Sequence, residues 1–193
     1  MAPHALSQNG GVTGSLDLRP VRSHPDLLAA PVAAALAALG GSADEIEVAP
    51  IDADIADTAA FCAAYDVGLD ISANCVVIAG RRGDETRYAA CVVLATTRAD
   101  VNGVVRRLLD ARKASFAPMD DAIRLTGMEY GGITPVGLPG EWSLLVDARI
   151  PPLPRVIVGS GIRASKLALP GRVLAELPGA QVVEGLATDA TAA

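Results

Sequence analysis

Two apolar runs rich in β-branched residues, 71–79 and 88–95, flank the segment Arg-Arg-Gly-Asp-Glu-Thr. That pattern predicts an antiparallel hairpin with much of both faces buried, because neither run alternates cleanly between apolar and polar positions. Such a hairpin needs cover on both sides, and the rest of the chain supplies candidates. Apolar residues recur at helical spacing over 26–39, with Pro31 as a break or a helix start and Gly40-Gly41 as the stop. A short strand is expected over 46–51 and a helix over 58–65, with Asp57 as its N-cap. Asp100 is placed to cap a helix over 101–111, where Val101, Val104, Val105 and Leu108 share a face. Pro118 and Asp120 open another short helix that Gly127 ends. Strands are expected next over 143–146, 155–158 and 165–169, then a helix over 170–177 and a strand over 181–183. Strands arrive in adjacent groups rather than in strict βα alternation, so the fold class is α+β with a mixed or mainly antiparallel sheet. The expected organisation is one domain over 21–187, with tails over 1–20 and 188–193.

Composition narrows the function classes. The chain has 193 residues, 51% of them apolar, which suits a globular protein with a substantial core. Aromatics make up only 3%, implying small-residue packing and little base-stacking surface. The cysteines Cys62, Cys75 and Cys91 are scattered without C-x-x-C spacing and read as small buried hydrophobes in a reducing compartment. His4 and His24 lack zinc-ligand spacing, so no metal is expected. Neither a signal-peptide pattern nor an apolar run of membrane-spanning length is visible, which points to the cytoplasm and away from membranes. The net charge of −6 disfavours an extensive nucleic-acid surface and excludes DNA as an expected partner. Arginines nevertheless cluster locally: Arg81, Arg82 and Arg87 around one turn, and Arg106, Arg107 and Arg112 with Lys113 along one expected helix. Each cluster reads either as a solvated face or as a contact surface.

The least generic stretch is 126–140, where five glycines and two prolines fall within fifteen residues. Glycine permits close backbone approach and proline stiffens the chain, so this is a shaped loop able to present backbone N–H groups to a small polar ligand. A structural turn is the alternative. The order of its residues, TGMEYGGITPVGLP, resembles the loop of the YbaK/prolyl-tRNA editing-domain family of aminoacyl-tRNA deacylases. Gly131, Gly132, Ile133, Thr134 and Pro135 match that family's G-x-x-x-P loop. The resemblance spans roughly Ser42 to Leu186. Ser72 to Ile78 lies where the family has a lysine-bearing strand, Leu144 to Asp147 matches its strand ending in aspartate, and Val156 to Gly161 matches its glycine-rich turn.

The resemblance implies a curved, barrel-like mixed β-sheet flanked by helices and a hydrolase of translation fidelity, acting in trans on a small mischarged amino acid. Its partners would be the aminoacylated 3′ end of tRNA and an aminoacyl-tRNA synthetase, and no cofactor is implied. An ester to a ribose hydroxyl is already activated, so such a site needs to position the carbonyl, direct water or the neighbouring hydroxyl, and stabilise an oxyanion. The family lysine's position is occupied by Asn74, which offers hydrogen bonds but no charge. The chain's lysines, Lys113 and Lys166, are expected on a helix and after the Gly159-Ser160-Gly161 turn. Asn74 is the candidate catalytic residue, either directed into the pocket or held as a structural amide. Cys75 has no histidine base and reads as packing. Asp147 is a candidate partner for a substrate ammonium or an ordinary strand-end cap, and Gly159, Ser160 and Gly161 either line the pocket or form a tight turn. The second reading is a catalytically weak binding module that holds an amino acid or aminoacyl nucleotide without hydrolysing it.

Overall fold

In the computed structural model, which describes residues 13–190, the chain enters through β1 (Arg19–Pro20), α1 (Ala30–Ala38), β2 (Glu47–Pro50) and α2 (Thr58–Tyr65). The long hairpin comes next as β3 (Ala73–Arg82) and β4 (Glu85–Leu94), then β5 (Thr97–Ala99), the short α3 (Arg106–Leu108), β6 (Lys113–Phe116) and α4 (Met119–Thr126). The last third holds β7 (Ser143–Asp147), β8 (Val156–Gly159), β9 (Ser165–Leu169), α5 (Gly171–Glu176), β10 (Ala180–Val183) and β11 (Ala187–Asp189).

The hairpin is the centre of a mixed five-stranded sheet ordered β10-β7-β4-β3-β6. It pairs in register from Ala73↔Leu94 to Arg82↔Glu85, with Gly83 in the connecting turn at φ 61°. Both faces are covered, which explains the unbroken apolar runs. Val77, Ala90 and Val92 belong to the main core with α1 and α5, while Ile78, Ala89, Cys91 and Val93 meet Val105, Leu109 and Leu186 on the other side. A second, antiparallel sheet, β1-β2-β9-β8, lies alongside, and a parallel bridge from Ser72 to Ile157 connects the two. The α+β class therefore holds, but the strands form separate open sheets rather than a closed barrel, so the barrel-like description applies only loosely.

Local chemistry explains several boundaries. Asp57 caps α2 by accepting from the Ala59 and Ala60 N–H groups, and Gly127 ends α4 at φ 66°. Pro31 starts α1 rather than breaking it. The expected helix over 101–111 is different. Asp100 does cap it, but 101–105 is a π-helical turn, whose extra residue rotates the remainder of the helix about its axis. Leu109 is consequently buried at 3% exposure, whereas Leu108 stands 46% exposed. The chain then reverses at Asp110 (φ 50°), so Lys113 begins strand β6 opposite Arg81 instead of continuing a helix. The expected tails also pair. Leu16 and Leu18 pack against a third apolar cluster around Phe61, Arg19–Pro20 joins β2, and Ala187–Asp189 pairs with β5. Residues 1–12 and 191–193 of those tails lie outside the described residues.

Candidate functional site

A cleft of about 400 Å³ opens where the start of β3, the N-terminus of α2, the Gly/Pro loop and the end of β8 converge. Asn74, Gly131, Ile133 and Gly159 line it, so the strand, the loop and the glycine-rich turn singled out in the sequence do meet. Asn74 is half-buried, and its Oδ1 accepts a 2.6 Å hydrogen bond from Thr58 Oγ1 at the start of α2. That bond fixes the amide's orientation and leaves its N–H groups for a ligand.

The loop and the turn are clasped together. Gly161 N donates to Gly132 O at 2.7 Å, Glu129 N donates to Gly161 O at 2.8 Å, and Arg163 N donates to the Glu129 carboxylate at 2.6 Å. A Cβ on Gly159 would lie 2.3 Å from Gly132 O, and one on Gly132 would lie 2.5 Å from the Ile162 backbone. Only glycine allows these two segments to approach so closely. Gly132, Thr134, Pro135, Ser160 and Gly161 are buried beneath the cleft surface rather than lining it. Ser160 shares a 2.6 Å hydrogen bond with Ser165 and braces the turn. Thr134 Oγ1 is buried without a partner among the described residues.

Asp147 does not join them. It lies 2% exposed at the end of β7, away from the residues lining the cleft, in an ion pair with Arg149 at 2.8 Å. Burial alone would raise its carboxyl, but hydrogen bonds from Arg149 outweigh that and hold it below the usual carboxylate range. Arg149 also reaches Asp189 and the Ala187 carbonyl, so the pair secures the C-terminal strand.

The cleft holds charges that the sequence reading did not place there. Lys166, on β9 directly across from Gly159, lines it with Asn74 and is only 7% exposed. Its Nζ donates to Ala56 O at 3.1 Å and stands 5.2 Å from the Phe61 ring centroid. Burial lowers its pKa, against smaller opposing effects from Cys62 and Asp57. Arg163 and Asp57 also border the cleft. One signal for Lys166 was present in the sequence: a lysine inside an otherwise apolar strand, Ser165–Leu169, is rarely buried without purpose. Cys75 lines the cleft as well, but desolvation, and secondarily Cys91, push its thiol well above the ordinary range. It stays protonated and is no nucleophile. Among the described residues no group of three or more His, Cys, Asp or Glu could hold a metal ion, and no helix is long and apolar enough to cross a membrane.

Comparisons with known proteins identify the family to which this fold and cleft belong. The chain belongs to the aminoacyl-tRNA editing domain family, whose model matches residues 52–177. No curated protein matches it in sequence. Among solved structures it is similar to a candidate trans-editing enzyme for prolyl tRNA synthetase, at 23% identity and TM-score 0.68 over 81% of this chain and 94% of that one. A scaffold protein used for computational epitope grafting matches at 23% identity and TM-score 0.67, over 81% and 95%. A hypothetical protein matches at 22% identity and TM-score 0.65, over 74% and 91%. At these identities the likeness concerns the fold.

Proposed function

We propose that the protein is a free-standing aminoacyl-tRNA deacylase that removes a small mischarged amino acid from the 3′ end of tRNA. The observation that carries this reading is the convergence of Asn74 and Lys166 on one cleft walled by the Gly131–Pro135 loop. The charge absent from β3, where Asn74 stands in place of the family's lysine, is supplied from β9. Water, which the neighbouring ribose hydroxyl can help to position, adds to the ester carbonyl, and its proton passes to the departing ribose oxygen. The C–O bond to the ribose then breaks, releasing the amino acid and a free tRNA hydroxyl. Asn74, oriented by Thr58, donates to the carbonyl oxygen as negative charge develops, and the Lys166 ammonium stabilises that charge in a desolvated setting. Asp57 borders the cleft where Asp147 does not, and its remaining carboxylate oxygen is the one assigned here to the substrate's α-ammonium. Hydrolysis suits a small residue, because a synthetase discriminates one methylene by only about 1–3 kcal/mol and needs a second sieve.

The binding-module reading rests on the missing lysine, and a lysine in the same cleft, Lys166, weighs against it. Deacylation by the wild-type protein separates the two, and substitution at Asn74 tests the mechanism. Losing one preorganised donor costs about 10²–10³ in rate, so Asn74→Ala should slow deacylation by that order, and Asn74→Asp at least as much. If wild type is active and both variants match it, Asn74 is structural and the mechanism is wrong.

A further inference from the structure

A second groove, of about 600 Å³, runs along the edge strand β6 and shares Phe116 with the cleft. Arg81, Arg106, Arg112 and Lys113 line it. None of the four forms a salt bridge among the described residues, although arginines elsewhere are extensively paired with carboxylates. Arg82 and Arg87, their neighbours around the hairpin turn, are neutralised by Asp110 and Glu85. Arg81 and Lys113 sit directly opposite each other across β3 and β6. Like charges in that position destabilise a sheet, so the pair is costly to the fold unless an anion lies between them. Free cations in an acidic chain are thus gathered beside the reacting cleft. Two aromatics stand at the cleft's edges: Phe116 is 64% exposed and Tyr130 is 57% exposed. Few aromatics occur in the chain, and exposing these two forfeits core packing.

Resting on the deacylase reading, we propose that this groove is the track of the unpaired 3′ strand of the RNA. The four cations hold successive phosphates, and Phe116 stacks a base where the strand turns into the cleft. An aromatic platform beside a basic groove is how single strands are held with little sequence preference.

The test uses uncharged RNA, so it stands apart from whether the protein hydrolyses anything. The probe is a short RNA hairpin ending in unpaired CCA, compared with the same hairpin cut to a blunt end, and affinity is measured as salt is raised. Four neutralised phosphates give a slope of log K against log salt of roughly −3, and Arg81→Ser/Arg112→Ser/Lys113→Ser should flatten it by roughly 2. Phe116→Ala should weaken the CCA-ended probe by about 5–100-fold and leave the blunt probe unaffected. Thermal melting of the variants confirms that they are folded. Unchanged affinity and slope in the folded variants overturn the proposal. Equal losses on both hairpins also overturn it, because the groove would then hold duplex phosphates rather than the 3′ strand. Wild-type protein that binds the CCA-ended hairpin with the predicted slope and variant losses but hydrolyses no ester would instead count against the catalytic reading alone.

Discussion

Replacing Lys166 by methionine separates a functional ammonium from a structural one, because the two roles predict opposite balances of rate and stability. Methionine keeps an unbranched stem of similar length and fills the space against Phe61 without a charge. The substitution loses the hydrogen bond to Ala56 O, which for a charged donor is worth about 1.5–3 kcal/mol. It also loses the contact with the Phe61 ring, worth roughly 0.5–2 kcal/mol. Against these it removes an ammonium that lies 7% exposed with no carboxylate in ion-pair contact among the described residues. That burial costs several kcal/mol even after relaxation. The lowered pKa of Lys166 has the same sense, since burial disfavours its charged form. Lys166→Met should therefore change folding stability by less than about 2 kcal/mol, in the stabilising direction if at all, as read by urea denaturation. Deacylation should meanwhile fall by about 10²–10³, the cost of one oxyanion-stabilising group. The pH dependence supplies a second readout. Since the folded pKa lies below that of the unfolded lysine, the unfolded chain binds the proton more tightly. Wild-type stability then rises as pH climbs from the folded value toward the ordinary lysine value, and the methionine variant should lack that rise. Activity and stability falling together, by more than about 3 kcal/mol in the latter, would make Lys166 a structural residue. Unchanged activity would remove it from the reaction.

Gly159→Ala places a Cβ 2.3 Å from Gly132 O, so the loop and turn must separate. We expect a stability loss of about 1–3 kcal/mol in denaturant titrations, with deacylation reduced further than stability alone explains. Asp147→Asn should leave the rate on a bound substrate unchanged while destabilising the fold by about 1–3 kcal/mol, since it breaks a buried partner of the half-exposed Arg149. The Asp147 carboxyl is held below its ordinary value of about 3.9. Its contribution is therefore full above that value and is lost as pH falls through the folded one, and acid denaturation of the asparagine variant should lack that component.

The sequence was most legible where local chemistry and long-range packing agreed. The hairpin, the Asp57 cap, the Gly127 stop and the strand Ser165–Leu169 all arise from patterns that tertiary contacts reinforce. The π-helical turn at 101–105 was hidden because an inserted residue shifts the buried face without altering composition. Strand β6 was hidden because its residues, Lys-Ala-Ser-Phe, carry no strand signal and owe their conformation to pairing with β3. At the site, the Gly131–Pro135 loop was readable from its glycines and prolines, but which of those residues face the cleft depends on how closely Gly132 meets the turn after β8. Asp147 was misleading because a strand-end carboxylate reads the same whether it meets a substrate or Arg149 two residues on. Lys166 lies 92 residues from Asn74 in sequence, and only the joining of the two sheets at the Ser72–Ile157 bridge brings both to one cleft.

The most direct measurement is deacylation of a panel of mischarged tRNAs by the purified wild-type protein, with correctly charged tRNAs as controls. Hydrolysis of at least one small mischarged aminoacyl ester, sparing its correctly charged counterpart and falling by about 10²–10³ in Asn74→Ala and Lys166→Met, is the predicted result. Binding of the panel with no ester hydrolysed above the spontaneous rate would contradict the central claim and leave a binding module in its place.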